Sequence, residues 1–241
     1  MSGRTAIVLG ATGLVGSELW PKLVGRDSPW ESVVLLARRP LAALPAGISC
    51  RVIDFDGLPE SFPEDIRGDD LFCCLGTTLR QAGSREAFRR VDHDYVLEIA
   101  RILTQRGLRQ MLVVTALGSD PDSRFFYNRV KGQLEADLSN LDIPVISFLR
   151  PSLLLGERSD SRPLERLGQA AATPARGLMR GPLATLAPIP AAEVAEAMYR
   201  IASHEVNERP VQPGIRRAVI PSSEIARIAH TTDLQSLGGM K

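Results

Sequence analysis

Residues Ala6-Ile7-Val8-Leu9-Gly10-Ala11-Thr12-Gly13-Leu14-Val15-Gly16 decide the fold, because a short apolar run closes on three glycines and a helical pattern begins at once. That order of residues encodes strand, tight turn and helix opening. Gly10 lets the chain reverse, Gly13 lets backbone N–H groups approach an anion with no Cβ in the way, and Gly16 lets the new helix lie close to its strand. In open α/β folds this turn is where a dinucleotide's pyrophosphate binds. Gly10, Ala11, Thr12, Gly13, Leu14, Val15 and Gly16 therefore form the expected phosphate cradle. A glycine triplet also arises at ordinary turns, so three further features carry the choice.

The first lies 22 residues past Gly16, at the end of the apolar run Val33-Val34-Leu35-Leu36. A site for NAD carries an acid there, to accept from the ribose 2′-hydroxyl. This chain reads Ala37-Arg38-Arg39 instead, and forked guanidinium groups suit a 2′-phosphate, so Arg38 and Arg39 point to NADP(H) over NAD(H). The plainer alternative is two solvated arginines at a strand end.

The second feature is Tyr127-Asn128-Arg129-Val130-Lys131, whose spacing puts a phenol and an ammonium one helical turn apart on one face. A neighbouring cation favours the phenolate, which brings a tyrosine toward use as a general acid and base. The third is Thr115, at the end of Met111-Leu112-Val113-Val114, where a hydroxyl at a strand's carboxyl end can meet a substrate carbonyl. A strand-end Thr can also simply bond its own turn, with Ser119 in the next loop as the substitute donor.

With these residues in place the chain resembles the short-chain dehydrogenase/reductases of the extended or atypical kind. Phe72 to Thr78, Val91 to Leu97, Tyr127 to Gly132, Arg150-Pro151 and Ser161-Arg162-Pro163 resemble the Tat-interacting-protein-type oxidoreductases more narrowly, over residues 5–205. The resemblance implies a nicotinamide-binding Rossmann domain with a catalytic set carried by Thr115, Tyr127 and Lys131, in which Lys131 also holds the cofactor ribose. It implies that Asp54 accepts from the adenine amino group, that Leu75, Gly76 and Thr77 flank the cofactor, and that the backbone at Pro151 and Leu153 faces the nicotinamide carboxamide. It also points to a homodimer or a regulatory protein partner. One departure stands out: where similar reductases commonly keep an Asn after the fourth strand, the nearest match is Asp92.

Composition agrees with a globular enzyme. The chain has 241 residues, is 44% hydrophobic and 24% charged, and carries a net charge of +1, which argues against a nucleic-acid binder. No apolar run approaches a membrane span and no secretory core follows Met1-Ser2-Gly3-Arg4, so the expectation is a cytoplasmic protein away from membranes. Cys50, Cys73 and Cys74 lack metal or redox spacing, and Cys73 and Cys74 should point to opposite faces of a strand. His93, His204 and His230 are scattered, so no metal site is expected, and His93 reads as a partly exposed hydrogen-bonded side chain.

Strands are expected near residues 4–9, 32–37, 49–53, 70–75, 110–115 and 144–149, with a long amphipathic helix from Ser84 to about Arg106 on Phe88, Val91, Tyr95, Ile99 and Ile102. The expected architecture is one doubly wound parallel α/β sheet in the order 3-2-1-4-5-6, with helices on both faces, spanning 1–241. Pro21 should break the first helix near Trp20. Residues 152–241 should add a small substrate-covering lobe, with Arg158 and Arg162 as anion clamps or solvated ion pairs, and Ala191 to Ser203 a plain helix. The expected function is NADP(H)-dependent oxidation of an alcohol or reduction of a carbonyl on a small molecule. Two alternatives stay open, a NADP(H)-binding regulatory protein with little turnover and a nucleotide-sugar-type epimerase.

Overall fold

A computed structural model describes residues 3–25, 28–156, 185–208 and 214–231. Its main sheet has seven strands, all parallel: β1 (Arg4–Leu9), β2 (Trp30–Ala37), β3 (Ile48–Val52), β4 (Asp70–Cys73), β5 (Gln110–Val114), β6 (Val145–Arg150) and, after the minor pair β7 (Leu154–Leu155) and β8 (Ile189–Pro190), β9 (Arg216–Pro221). Their order is β3-β2-β1-β4-β5-β6-β9. The first six follow the expected doubly wound order. Reversal of winding between β1 and β4 opens the crevice at their carboxyl ends.

Side-chain alternation along the buried strands divides the interior in two. Val8, Leu35, Phe72, Leu112 and Leu149 face α1 (Leu14–Leu19) and the later helices α6 (Ala191–Glu208) and α7 (Ser222–His230). Their neighbours Ile7, Leu9, Leu36, Leu71, Met111 and Phe148 face α4 (Tyr95–Gln105) and α5 (Phe126–Ser139). Both faces are covered, which is why these strands read as continuous apolar runs.

At the amino ends of the strands, buried Asp70 accepts from Trp30 Nε1 (2.7 Å), Gln110 Nε2 (3.0 Å) and Arg4 Nε (2.9 Å). One carboxylate thus fixes four strands at the end opposite the crevice. Pro21 acts as its chemistry requires: α1 stops at Leu19 and the chain continues as a 3₁₀ turn, Trp20–Leu23, in which Pro21 needs no N–H partner.

The described C-terminal residues pack onto the sheet. Val194, Ala197, Met198 and Ile201 of α6 bury their stripe against the sheet beside α1, and β9 extends the sheet past β6. Arg217 secures β9 by donating to the Leu141 and Ile143 carbonyls at 2.7 and 2.8 Å, after α5. Residues 157–184, with Arg158 and Arg162, lie outside the described residues. The expected long helix is also interrupted: α2 (Leu79–Ala82) and α3 (Arg85–Arg89), the latter capped by the Ser84 hydroxyl, lead into a π turn, Arg90–Asp94, before α4.

Cys73 faces the α4–α5 core and Cys74 the opposite one, where its Sγ lies 3.8 Å from Met198 Sδ. Burial pushes the Cys73 thiol up to about 11 and the Cys74 thiol well above its ordinary value. In the folded protein, Ellman's reagent is expected to titrate Cys50 alone on the fast timescale, with the other two thiols appearing on unfolding. Rapid reaction of all three thiols without denaturant would contradict this packing.

Candidate functional site

The crevice at the carboxyl end of β1 holds a cavity of about 810 Å³, within the range of small-molecule sites. Gly10, Ala11 and Thr12 line it on one side, Arg38 and Arg39 from the end of β2 on another, and Leu75, Gly76 and Thr77 from the end of β4 on a third. Glycine is required at the first of these positions. Gly10 has φ +78°, and a Cβ there would sit 2.6 Å from the Cys74 carbonyl oxygen. A Cβ on Gly76 would fall 3.3 Å from Asp92 Oδ1 and 3.8 Å from Lys131 Nζ. Gly13, Leu14, Val15 and Gly16 lie behind the rim as the start of α1, whose first turn receives no side-chain cap. Among the described residues, Arg38 and Arg39 have no acidic partner, so their charges face the cavity rim unneutralised.

The structure adds an aromatic wall that sequence reasoning did not assign to the site. Phe55, after β3, and Tyr95, opening α4, both line the cavity with ring centroids 5.4 Å apart. Tyr95 belonged to the expected apolar helix stripe, but the π turn brings it and Val91 to the cavity. Its hydroxyl donates to Asp56, and burial together with that carboxylate pushes the phenol up to about 12. Asp54 is exposed, accepts from the Asp56 N–H at 3.1 Å and does not line the cavity.

Behind the Gly76 wall lies a buried ion pair. Lys131 of α5 and Asp92 of the π turn meet at 2.7 Å with side chains 3% and 1% exposed. Asp92 Oδ2 also accepts from the Thr77 N–H at 2.8 Å. Asp92 therefore joins the cavity wall to the lysine directly. Burial on its own would discharge the Lys131 ammonium, but Asp92, with a smaller contribution from Tyr127, holds it above the ordinary lysine value. Tyr127 sits one turn earlier on α5, 37% exposed, with its ring 5.5 Å from that of Phe88.

Thr115 departs from its expected place. The side chain is 4% exposed, and its hydroxyl donates to Glu135 Oε1 at 2.6 Å. Glu135, two turns after Tyr127 on α5, is in turn held by Arg150 Nε at 3.0 Å. A hydroxyl has one proton, so while it serves Glu135 it cannot also donate to a substrate carbonyl. Ser119 is likewise committed, donating to the Ala116 carbonyl at 2.7 Å. The sequence held no signal for this, because Glu135 reads as one more polar residue of a helix face. His93 differs too: it is 2% exposed, between Asp94 and Asp137, and ties the π turn to α5. Pro151 is buried with its carbonyl accepting from the Leu117 N–H at 2.8 Å, and Leu153 is exposed.

No family model matches the chain. Protein HTATIP2 of Rattus norvegicus is 36% identical over 173 residues, covering 70% of each chain. The chain belongs to the HTATIP2 family. Within that family, the mitochondrial protein FMP52-1 of Scheffersomyces stipitis is 33% identical over 216 residues, 86% of this chain and 92% of its own. The fold is shared with solved extended short-chain dehydrogenase/reductases. MoeE5, solved with UDP-glucuronic acid and NAD, superposes with a TM-score of 0.63 at 18% identity over 90% of this chain and 75% of its own. Human epimerase family protein SDR39U1, solved with NADPH, gives 0.52 at 17% identity over 91% and 75%. The family corrects the cytoplasmic expectation, since its FMP52 members are named mitochondrial. The apolar core of a secretory signal carries no information about mitochondria.

Proposed function

We propose that this protein is a NADP(H)-dependent oxidoreductase that reduces a carbonyl or oxidises an alcohol, with Tyr127 as general acid and base. The observation that supports it best is the cavity itself, which opens a glycine cradle, two arginines with no acidic partner among the described residues and the Gly76 wall onto one space. A dinucleotide fits that set by chemistry. Backbone N–H groups at Ala11 and Thr12 suit the pyrophosphate, Phe55 and Tyr95 offer a flat apolar seat for a base, and Arg38 with Arg39 suits a 2′-phosphate. Relatives of the fold solved with NAD or NADPH support a nicotinamide dinucleotide in general. The preference for the phosphorylated form rests on the two arginines.

When bound, the nicotinamide supplies or takes up a hydride. This chain's residues do the rest. Tyr127, 37% exposed and outside the lining of the cavity, passes a proton between its hydroxyl and the substrate oxygen. Lys131, paired with Asp92 behind the Gly76 wall, supplies the positive charge beside the cavity for the ribose and the phenol. A second reading, a NADP(H)-binding regulatory protein with little turnover, is favoured by the withdrawal of Thr115 into its bond with Glu135.

Replacing Arg38 and Arg39 together by Ala tests the cofactor assignment. NADPH affinity, read by fluorescence titration, is expected to fall about tenfold or more, the loss of two charge-assisted contacts, with NADH affinity nearly unchanged. Equal losses for both cofactors, or none, would contradict the 2′-phosphate role.

A further inference from the structure

The two aromatic residues of the cavity are unequally held. Phe55 is 7% exposed and belongs to the core shared with α4, whereas Tyr95 is half-buried and only packs against that core. A half-buried ring keeps several rotamers open unless its far end is tied. The tie here is Asp56. Its Oδ1 accepts from the Tyr95 hydroxyl, and Arg90 Nη1 of the π turn lies 3.5 Å from the same oxygen. Burial, together with the Asp56 carboxylate, pushes the phenol up to about 12, so the hydroxyl keeps its proton and stays a donor. Phe55 and Asp56 are consecutive. One loop therefore presents a ring to the Tyr95 ring, with centroids 5.4 Å apart, and an acceptor to its hydroxyl. Asp54, the acid that the resemblance assigns to the adenine amino group, is bound within its own loop instead. Its Oδ1 accepts from the Asp56 N–H at 3.1 Å, and its Oδ2 lies 2.8 Å from where a Cβ on Gly57 would stand.

We propose that Asp56 is a positioning residue that latches the Tyr95 ring beside Phe55, so that the cofactor's base meets an aromatic seat already fixed in place. This rests on the reading of the cavity as a dinucleotide site. Asp56 acts through Tyr95, since it does not itself line the cavity. The latch joins residues 39 positions apart, from the loop after β3 and from the start of α4. A ring held before the ligand arrives spares binding the entropy of immobilising it. Arg90 steers the carboxylate more than it strengthens the latch, because an exposed ion pair is worth little. The π turn contributes by register, since it is the element that brings Tyr95 round to the cavity.

Calorimetric titration of the full chain with NADPH and with adenosine 2′,5′-bisphosphate, which carries the base without the nicotinamide, tests this. Tyr95→Phe keeps the ring and removes the latch, and it is expected to weaken both ligands about three- to tenfold. Asp56→Ala should do the same from the other side. The double variant, Tyr95→Phe with Asp56→Ala, should bind no more weakly than either single one, because both changes remove one interaction. Thermal melting without ligand is read alongside. A pair that served stability alone would lower the melting temperature and leave the affinities of the folded chain unchanged, which would overturn the proposal. Losses that add in the double variant would overturn it too. Both of these results leave NADPH bound to the wild type, whereas a wild type that binds neither ligand would overturn the dinucleotide reading and the base seat with it.

Discussion

Tyr127→Phe is expected to lower kcat about a hundredfold or more on whichever carbonyl the wild type reduces fastest in an aldehyde and ketone panel with NADPH. The substitution removes one oxygen and leaves the ring on Phe88, so stability and NADPH affinity should hardly change. Because Thr115 is engaged with Glu135 and Ser119 with Ala116, neither hydroxyl is free to compensate. The loss should therefore fall on kcat, with KM nearly constant, as for a group that acts in the transition state. A silent Tyr127→Phe would favour the regulatory reading. Thr115→Val separates the roles further. If Thr115 only supports Glu135, the variant should lose the worth of one hydrogen bond to a charged group, about 1.5–3 kcal/mol, with Arg150 still holding the carboxylate, and little turnover per folded molecule.

Gly16→Ala is expected to cost about 3 kcal/mol or more in urea unfolding, at or beyond the upper range for overpacking. A Cβ at Gly16 would lie 2.1 Å from the Gly10 carbonyl oxygen and 3.0 Å from Ala11 Cα, and both are backbone atoms that cannot turn aside. The helix would have to leave the turn, and the cradle would widen. Gly13→Ala provides the contrast, since its Cβ would be 3.3 Å from the same oxygen and its φ of −79° is open to any residue. It should cost about 1 kcal/mol or less, within the range of ordinary substitutions. Equal effects at the two positions would contradict the close approach assigned to Gly16.

The core of the fold was legible because it rests on local chemistry. Glycines at 10 and 16, apolar strands buried on both faces and Pro21 each impose their consequence wherever they stand in an α/β chain. β9 was not legible, since Arg216-Arg217-Ala218-Val219-Ile220-Pro221 is an edge strand whose arginines read as a loop until Arg217 is seen capping the chain after α5. The site divides the same way. The Tyr127–Lys131 spacing and the Arg38-Arg39 pair are properties of short stretches, and they could be found without the fold. The Asp92–Lys131 and Thr115–Glu135 partnerships join residues 39 and 20 positions apart. Side chains that meet only through tertiary packing leave no periodic trace, and the π turn that aims Asp92, Val91 and Tyr95 resembles an ordinary helix in its apolar spacing.

Calorimetric titration of the full chain with NADPH and with NADH bears most directly on the cavity as a dinucleotide site. One saturable site per chain is expected, with NADPH at least about tenfold tighter than NADH, the worth of charge-assisted contacts to one phosphate. Absence of saturable binding by either cofactor, or tighter binding of NADH, would contradict it.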